Sequence, residues 1–133
     1  MSGEKNLENL LNNMEPMIEP GEYVFCTVSE SDLDKIESPL MIYREGEGPT
    51  VIIQRALAEQ MGFKFGSSWG LITLMIHSAL DAVGFLATIT HHLAKSKISV
   101  NAVSAFYHDH LFVPYEKLDE ALDLLISLAD SSK

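Results

Sequence analysis

Between the apolar run Leu71 to Ile76 and the amphipathic stretch that starts at Gly84 lies a short loop, Ser78-Ala79-Leu80-Asp81-Ala82-Val83. A glycine where a loop becomes a helix lets a ligand approach the free N–H groups and the positive end of the helix dipole, where a carboxylate is the natural guest. Asp81 can accept from an ammonium group, or it can simply cap the helix through N–H groups just beyond it. Ser99 or Asn101, on the strand that follows the helix, can hydrogen-bond the polar atoms of a ligand. Together these groups would hold an amino acid at both of its charged ends.

The histidines offer a different chemistry. His108 and His110 are two apart at a strand start and can point the same way, and His77 with Asp109 or Asp81 nearby would complete a nitrogen and oxygen set for a divalent metal. The plainer account is a solvated hairpin with one strand-end histidine bonded to a backbone carbonyl, so the expectation is no metal and no cofactor. His91 and His92 fall inside the helix, away from that cluster. Cys26 is the single cysteine and is flanked by Val24, Phe25 and Val28, which predicts a buried, inert thiol and excludes an internal disulfide. No glycine-rich phosphate loop, nucleophile elbow or Cys-His pair is present, and the expectation is a protein that is not an enzyme.

The formal charge of −10 would repel a phosphate backbone, and the nine Lys and Arg residues are scattered, so no nucleic acid is expected as a partner. With 47% apolar residues among 133, the chain has enough to bury a core. Glu4 and Glu8 lie among the first residues, with no long apolar run and small-residue cleavage site. This start does not read as a signal peptide. No stretch approaches a membrane span, and a cytoplasmic location with no membrane partner is expected.

The elements that must carry these residues follow from period and punctuation. Leu7, Leu10 and Leu11 suggest a short N-terminal helix ending before Pro16. After a Pro20-Gly21 turn, Tyr23 to Val28 reads as a strand and Ser29 to Ser38 as a short helix or turn. Leu40 to Arg44 and Thr50 to Ile53 are strands around a Gly46-Glu47-Gly48-Pro49 turn, and Arg55 to Met61 is a helix stopped by Gly62. The second half starts at Trp69 or Gly70: a buried strand Leu71 to Ile76, a helix Gly84 to Ser96, and a strand Ile98 to Phe106 with Ile98, Val100, Ala102 and Phe106 on one face. A turn at His108-Asp109, a strand His110 to Tyr115 and a helix Lys117 to Ala129 complete it. Each half is β-α-β-β-α, an internal duplication with units at 1–66 and 67–133. Helices would pack on one face of a mainly antiparallel sheet, an α+β sandwich. That topology brings His77, the Asp81 to Gly84 loop and the His108 to His110 hairpin to one end of the sheet. Each half lacks a closing strand, which argues that halves or chains lend strands to each other. Leu124 and Ile126, off the buried stripe of the last helix, suit a contact within a homodimer.

The segment Ile76 to Leu86, followed by Ile98-Ser99-Val100-Asn101, resembles the ACT domain family, and from Glu22 onward the chain is similar to small stand-alone tandem ACT proteins of bacteria. The resemblance implies a ferredoxin-like ACT sandwich and a non-catalytic regulatory module that binds an amino acid at an interface between units. It implies ligand contacts at Asp81, Val83, Gly84 and Phe85 around the loop, and at Ser99 or Asn101 on the next strand. Val83 stands where many members have proline. The alternative is a protein-interaction or dimerisation module that binds no ligand.

Overall fold

The computed structural model describes residues 3–132. In chain order the elements are α1 (Leu7–Asn12), β1 (Pro16–Thr27), α2 (Glu30–Leu33), β2 (Met41–Glu45), β3 (Gly48–Gln54), α3 (Arg55–Met61), β4 (Trp69–Leu74), α4 (Phe85–Ala94), β5 (Asn101–Ser104), β6 (Asp109–Pro114), a 3₁₀ turn (Tyr115–Lys117) and α5 (Leu118–Ser131). After α1 the order is β-α-β-β-α twice. Mixed α+β architecture of the ferredoxin-like kind follows from it.

The chain forms two compact units, one from Gly21 to Trp69 and one from the residues up to Pro20 together with those from Gly70 on. In the Gly21–Trp69 unit the strand order is β2-β3-β1, antiparallel, with Phe25 opposite Ile52 and Ile52 opposite Met41. Alternation sends Val24, Cys26, Val51 and Ile53 to one face, where they pack with Leu33, Ile36 and Ala58 of the helical side. Gly62 ends α3 in the left-handed conformation, φ 74°, with its N–H on the Glu59 carbonyl.

In the other unit the order is β1-β4-β6-β5, with the start of β1 beside β4. β4 is buried along almost its whole length, as its unbroken apolar run requires. Ile72 and Leu74 of β4 and Leu111 and Val113 of β6 meet Phe85, Ile89 and Leu93 of α4 and Ala121 and Leu125 of α5. Helix α1 packs against α4 and α5.

Several expectations are corrected. The Pro20-Gly21 pair makes no turn between elements but lies inside β1, which starts at Pro16; Gly21, at φ 118°, takes a backbone conformation that only glycine adopts freely. β5 is four residues long, not nine. Upstream, Lys97 enters the left-handed region at φ 60° and Ile98 N–H closes on the Leu93 carbonyl, so these residues finish α4. Downstream, Ala105 N–H bonds the His108 carbonyl and turns the hairpin. Phe106 is therefore 56% exposed, and Ala102 is exposed as well. Asp109 belongs to β6 and not to the turn before it.

Candidate functional site

The rotation of α4 is fixed by Phe85, Ile89 and Leu93, which recur at helical spacing and are buried. Its start is unusual. Gly84 is the N-cap at φ 88°, and no side chain caps the helix. The first-turn N–H groups have no acceptors within the helix, and the positive end of its dipole lies there. They adjoin a cavity of about 150 Å³ whose lining includes Ser78, Leu80, Gly84, Phe85, Ser104 and Asp109.

Asp109 is only 5% exposed. It shares a face of β6 with Leu111 and Val113, both in the core with α4 and α5, so its carboxylate is on the helix side of the sheet. One oxygen, Oδ2, accepts from Ser78 Oγ at 2.9 Å, and the other, Oδ1, accepts from Ser104 Oγ at 2.7 Å. Ser104 is its cross-strand partner, and Ser78 comes from the loop after β4. None of the ion pairs among the described residues includes Asp109.

The expected convergence at one end of the sheet is present in this unit: the Ser78 bond to Asp109 ties loop to hairpin, and the His77 ring lies 5.4 Å from that of Tyr107 and 6.0 Å from that of Phe106. The individual residues are spread more widely than expected. Gly84 and Phe85 line the cavity. Asp81 instead lines a neighbouring hollow with Lys5, His77 and Phe106, and it does not cap α4, because Gly84 holds that position. Its carboxylate accepts from Lys5 Nζ at 2.9 Å, and that hydrogen bond and charge hold it below the ordinary carboxylate range. Val83 is 83% exposed. Ser99 lines a shallow hollow with Ala87, Thr90 and His91, while Asn101 is exposed on β5. Neither of them borders the cavity.

The loop is also held by the N-terminal segment. Glu4 N–H donates to the His77 carbonyl at 2.8 Å, and Ala79 N–H donates to the Glu4 carbonyl at 2.9 Å, a parallel bridge. Gly3 is pressed so closely against this loop that a Cβ there would lie 2.7 Å from backbone atoms of residues 77 to 79.

Family models of the ACT domain match residues 2–68 and 67–127. The chain belongs to the ACT domain family. A Vibrio cholerae protein of unknown function, described as a possible transport protein, is 42% identical, with a TM-score of 0.84 over 94% of this chain and 97% of its own. An Agrobacterium tumefaciens protein is 21% identical with a TM-score of 0.68, covering 86% of this chain and 87% of its own. The ligand-free regulatory subunit of aspartate kinase from Thermus thermophilus is 7% identical with a TM-score of 0.66, over 85% of this chain and 95% of its own. At such identities the last two show the shared fold. No functionally curated protein matches the chain.

Away from the cavity, the ACT fold puts the histidines to other uses. His110 is on the face of β6 opposite Asp109, and its Nδ1 is hydrogen-bonded to Thr73 Oγ1 at 2.9 Å. Burial, then the neighbouring His108, lowers its pKa, with Asp109 and Glu19 opposing. The His108 and His110 rings are 6.4 Å apart, and among the described residues no three His, Cys, Asp or Glu side chains are grouped to hold a metal. His92 Nε2 bonds the Leu124 carbonyl at 3.1 Å. Cys26 is a buried free thiol whose pKa is pushed up by that burial. No helix among the described residues is long and apolar enough to cross a membrane.

Reasoning from sequence missed Asp109, Ser78 and Ser104 as one polar group. The only local signal is an acid two residues before the apolar run Leu111 to Val113. The three come together only once β4, β6 and β5 are adjacent.

Proposed function

We propose that this ACT protein is a non-catalytic regulatory module, with residues 1–66 and 67–133 as its repeats, that binds a small amino acid at the start of α4. The observation that carries the reading is the cavity of about 150 Å³ at an N-terminus that no side chain caps. The unspent N–H groups of Phe85 and its successors receive the ligand carboxylate, and Gly84 keeps the approach open. An apolar cavity of roughly this volume takes a molecule the size of benzene, which matches the head group and β-carbon of an amino acid. Asp81 supports the site by holding its loop through Lys5, next to exposed Val83. Ser99 contributes from its hollow beside α4 only if the ligand extends there, and Asn101, opposite Phe112 on the sheet face away from α4, stays outside the site. The regulatory subunit of aspartate kinase has the same fold, which favours a regulatory role over catalysis.

The reading includes a cytoplasmic homodimer. Exposed Val83, Phe106, Tyr107 and Ile126 supply apolar surface for a second chain. The same residues support the second reading, an interaction module without ligand. A thermal-shift screen against the twenty amino acids separates the two. A ligand at a hundred times its dissociation constant adds about 2.7 kcal/mol, enough to raise the melting midpoint by several degrees. One or a few amino acids should give such a rise, and Gly84→Val should abolish it. No rise with any of them leaves the interaction module as the better account.

A further inference from the structure

We propose that Asp109 is the residue that receives the ligand's ammonium group, with the Ser78 and Ser104 hydroxyls positioning its carboxylate. This rests on the amino-acid reading above and names the ligand class more closely: small carboxylates bearing a free, unsubstituted ammonium.

Asp109 is a buried charge-bearing group that its surroundings leave without a counter-charge. At 5% exposure Asp109 has lost nearly all contact with water. Two hydroxyls donate to it, one per oxygen, at 2.9 and 2.7 Å. A carboxylate has about four acceptor sites, so the two bonds leave capacity on both oxygens. A buried carboxylate without a cation is costly, and a hairpin that needed only cross-strand hydrogen bonds would be served as well by asparagine or serine. No lysine, arginine or histidine of the described residues forms an ion pair with it. A cation from outside is the missing partner, and the cavity leads to it.

Asp109 borders the same cavity as Gly84 and Phe85, so one hollow offers an anion acceptor at the helix start and a cation acceptor on β6. Asp81, the acid of the expected ammonium contact, is exposed and already occupied by Lys5. The two serines come from different segments and hold both Asp109 oxygens, which fixes the carboxylate plane before a ligand arrives. An ammonium donates three hydrogen bonds and suits the remaining lone pairs. An N-acetylated amine has lost its charge and carries added bulk, and a des-amino acid leaves Asp109 unpaired.

The test uses the full chain and isothermal titration with the twenty L-amino acids, their N-acetyl derivatives and their des-amino counterparts. Wild type should bind at least one amino acid, and binding should weaken about 100-fold or more when the amine is acetylated or absent, as loss of a buried charge partner does. Asp109→Asn should lose amino-acid binding by a similar factor while its ligand-free melting midpoint stays equal to or above that of wild type. A merely structural Asp109 would lower that midpoint. Retained binding in Asp109→Asn overturns the assignment of Asp109 and leaves the amino-acid reading standing. If wild type binds no amino acid, the functional reading itself fails and this one with it. Should Asp109→Asn not fold, the wild-type comparison decides: equal affinity for an amino acid and its des-amino counterpart overturns the proposal, and strong discrimination together with weakened binding in Ser104→Ala supports it.

Discussion

Two neighbours on β6 lie on opposite faces and answer to different partners: Asp109 is on the helix side, and His110 hydrogen-bonds Thr73 on β4. Because burial is the largest influence on His110, its folded pKa is below the ordinary 6.5. Between the lowered value and 6.5 the unfolded chain binds a proton that the folded chain does not, so stability falls as pH drops through that window. Above 6.5 both states are neutral and the effect vanishes. Urea midpoints measured from about pH 7.5 down to about pH 5 should therefore decline in wild type and decline less in His110→Gln, the difference between the two curves being the histidine's share. A residue with a raised pKa would give the opposite slope, and that result would contradict the burial described for this ring.

At the scale of elements, two helix ends offer a matched pair of predictions. α3 stops at Gly62 in the left-handed region, and α4 is closed by Lys97 in the same region. An L side chain there costs roughly 1–2 kcal/mol, while glycine adds flexibility to the unfolded chain. Gly62→Ala should destabilise by about 1 kcal/mol, and Lys97→Gly should stabilise by up to about 1 kcal/mol, both read from urea midpoints at unchanged slope. The same two positions show what the sequence made legible. Gly62 announced its helix end because glycine is the usual occupant. Lys97 gave no such sign, so the strand was expected to begin at Ile98 when that residue in fact completes α4. Local periodicity located α3, α4, α5 and β3 to within a residue or two, since each has its own apolar stripe. It failed at β1, where a Pro-Gly pair sits inside a continuing strand, and at β5, whose ends are set by the hydrogen-bonded turns that flank it. For the site the division is similar. The Gly84 and Phe85 start of α4 is a local feature and could be read directly, whereas the Ser78-Asp109-Ser104 group exists only by adjacency of strands.

The whole molecule carries a formal charge of −10, with 19 acids against nine Lys and Arg. The ion pairs among the described residues are mostly exposed, so they offset little of the mutual repulsion. Raising salt from about 0.01 to about 0.1 M shortens the screening length from about 30 to about 10 Å. The melting midpoint should rise over that interval and then level off. A fall would mean that the ion pairs outweigh the excess of acids.

The bridge between the N-terminal segment and the loop after β4 also imposes an order in time. Lys5 and Asp81 are 76 positions apart, so at ordinary elongation rates the first partner waits roughly 4–15 seconds for the second to be synthesised. Residues 21 to 69 are contiguous and can fold during that wait. The cavity cannot close until β6 has brought Asp109 to Ser78 and the segment Gly3 to Lys5 has met the loop. The proposed site is thus completed only after β6 has been made, and a ligand bound there could stabilise only a chain in which that strand is already in place.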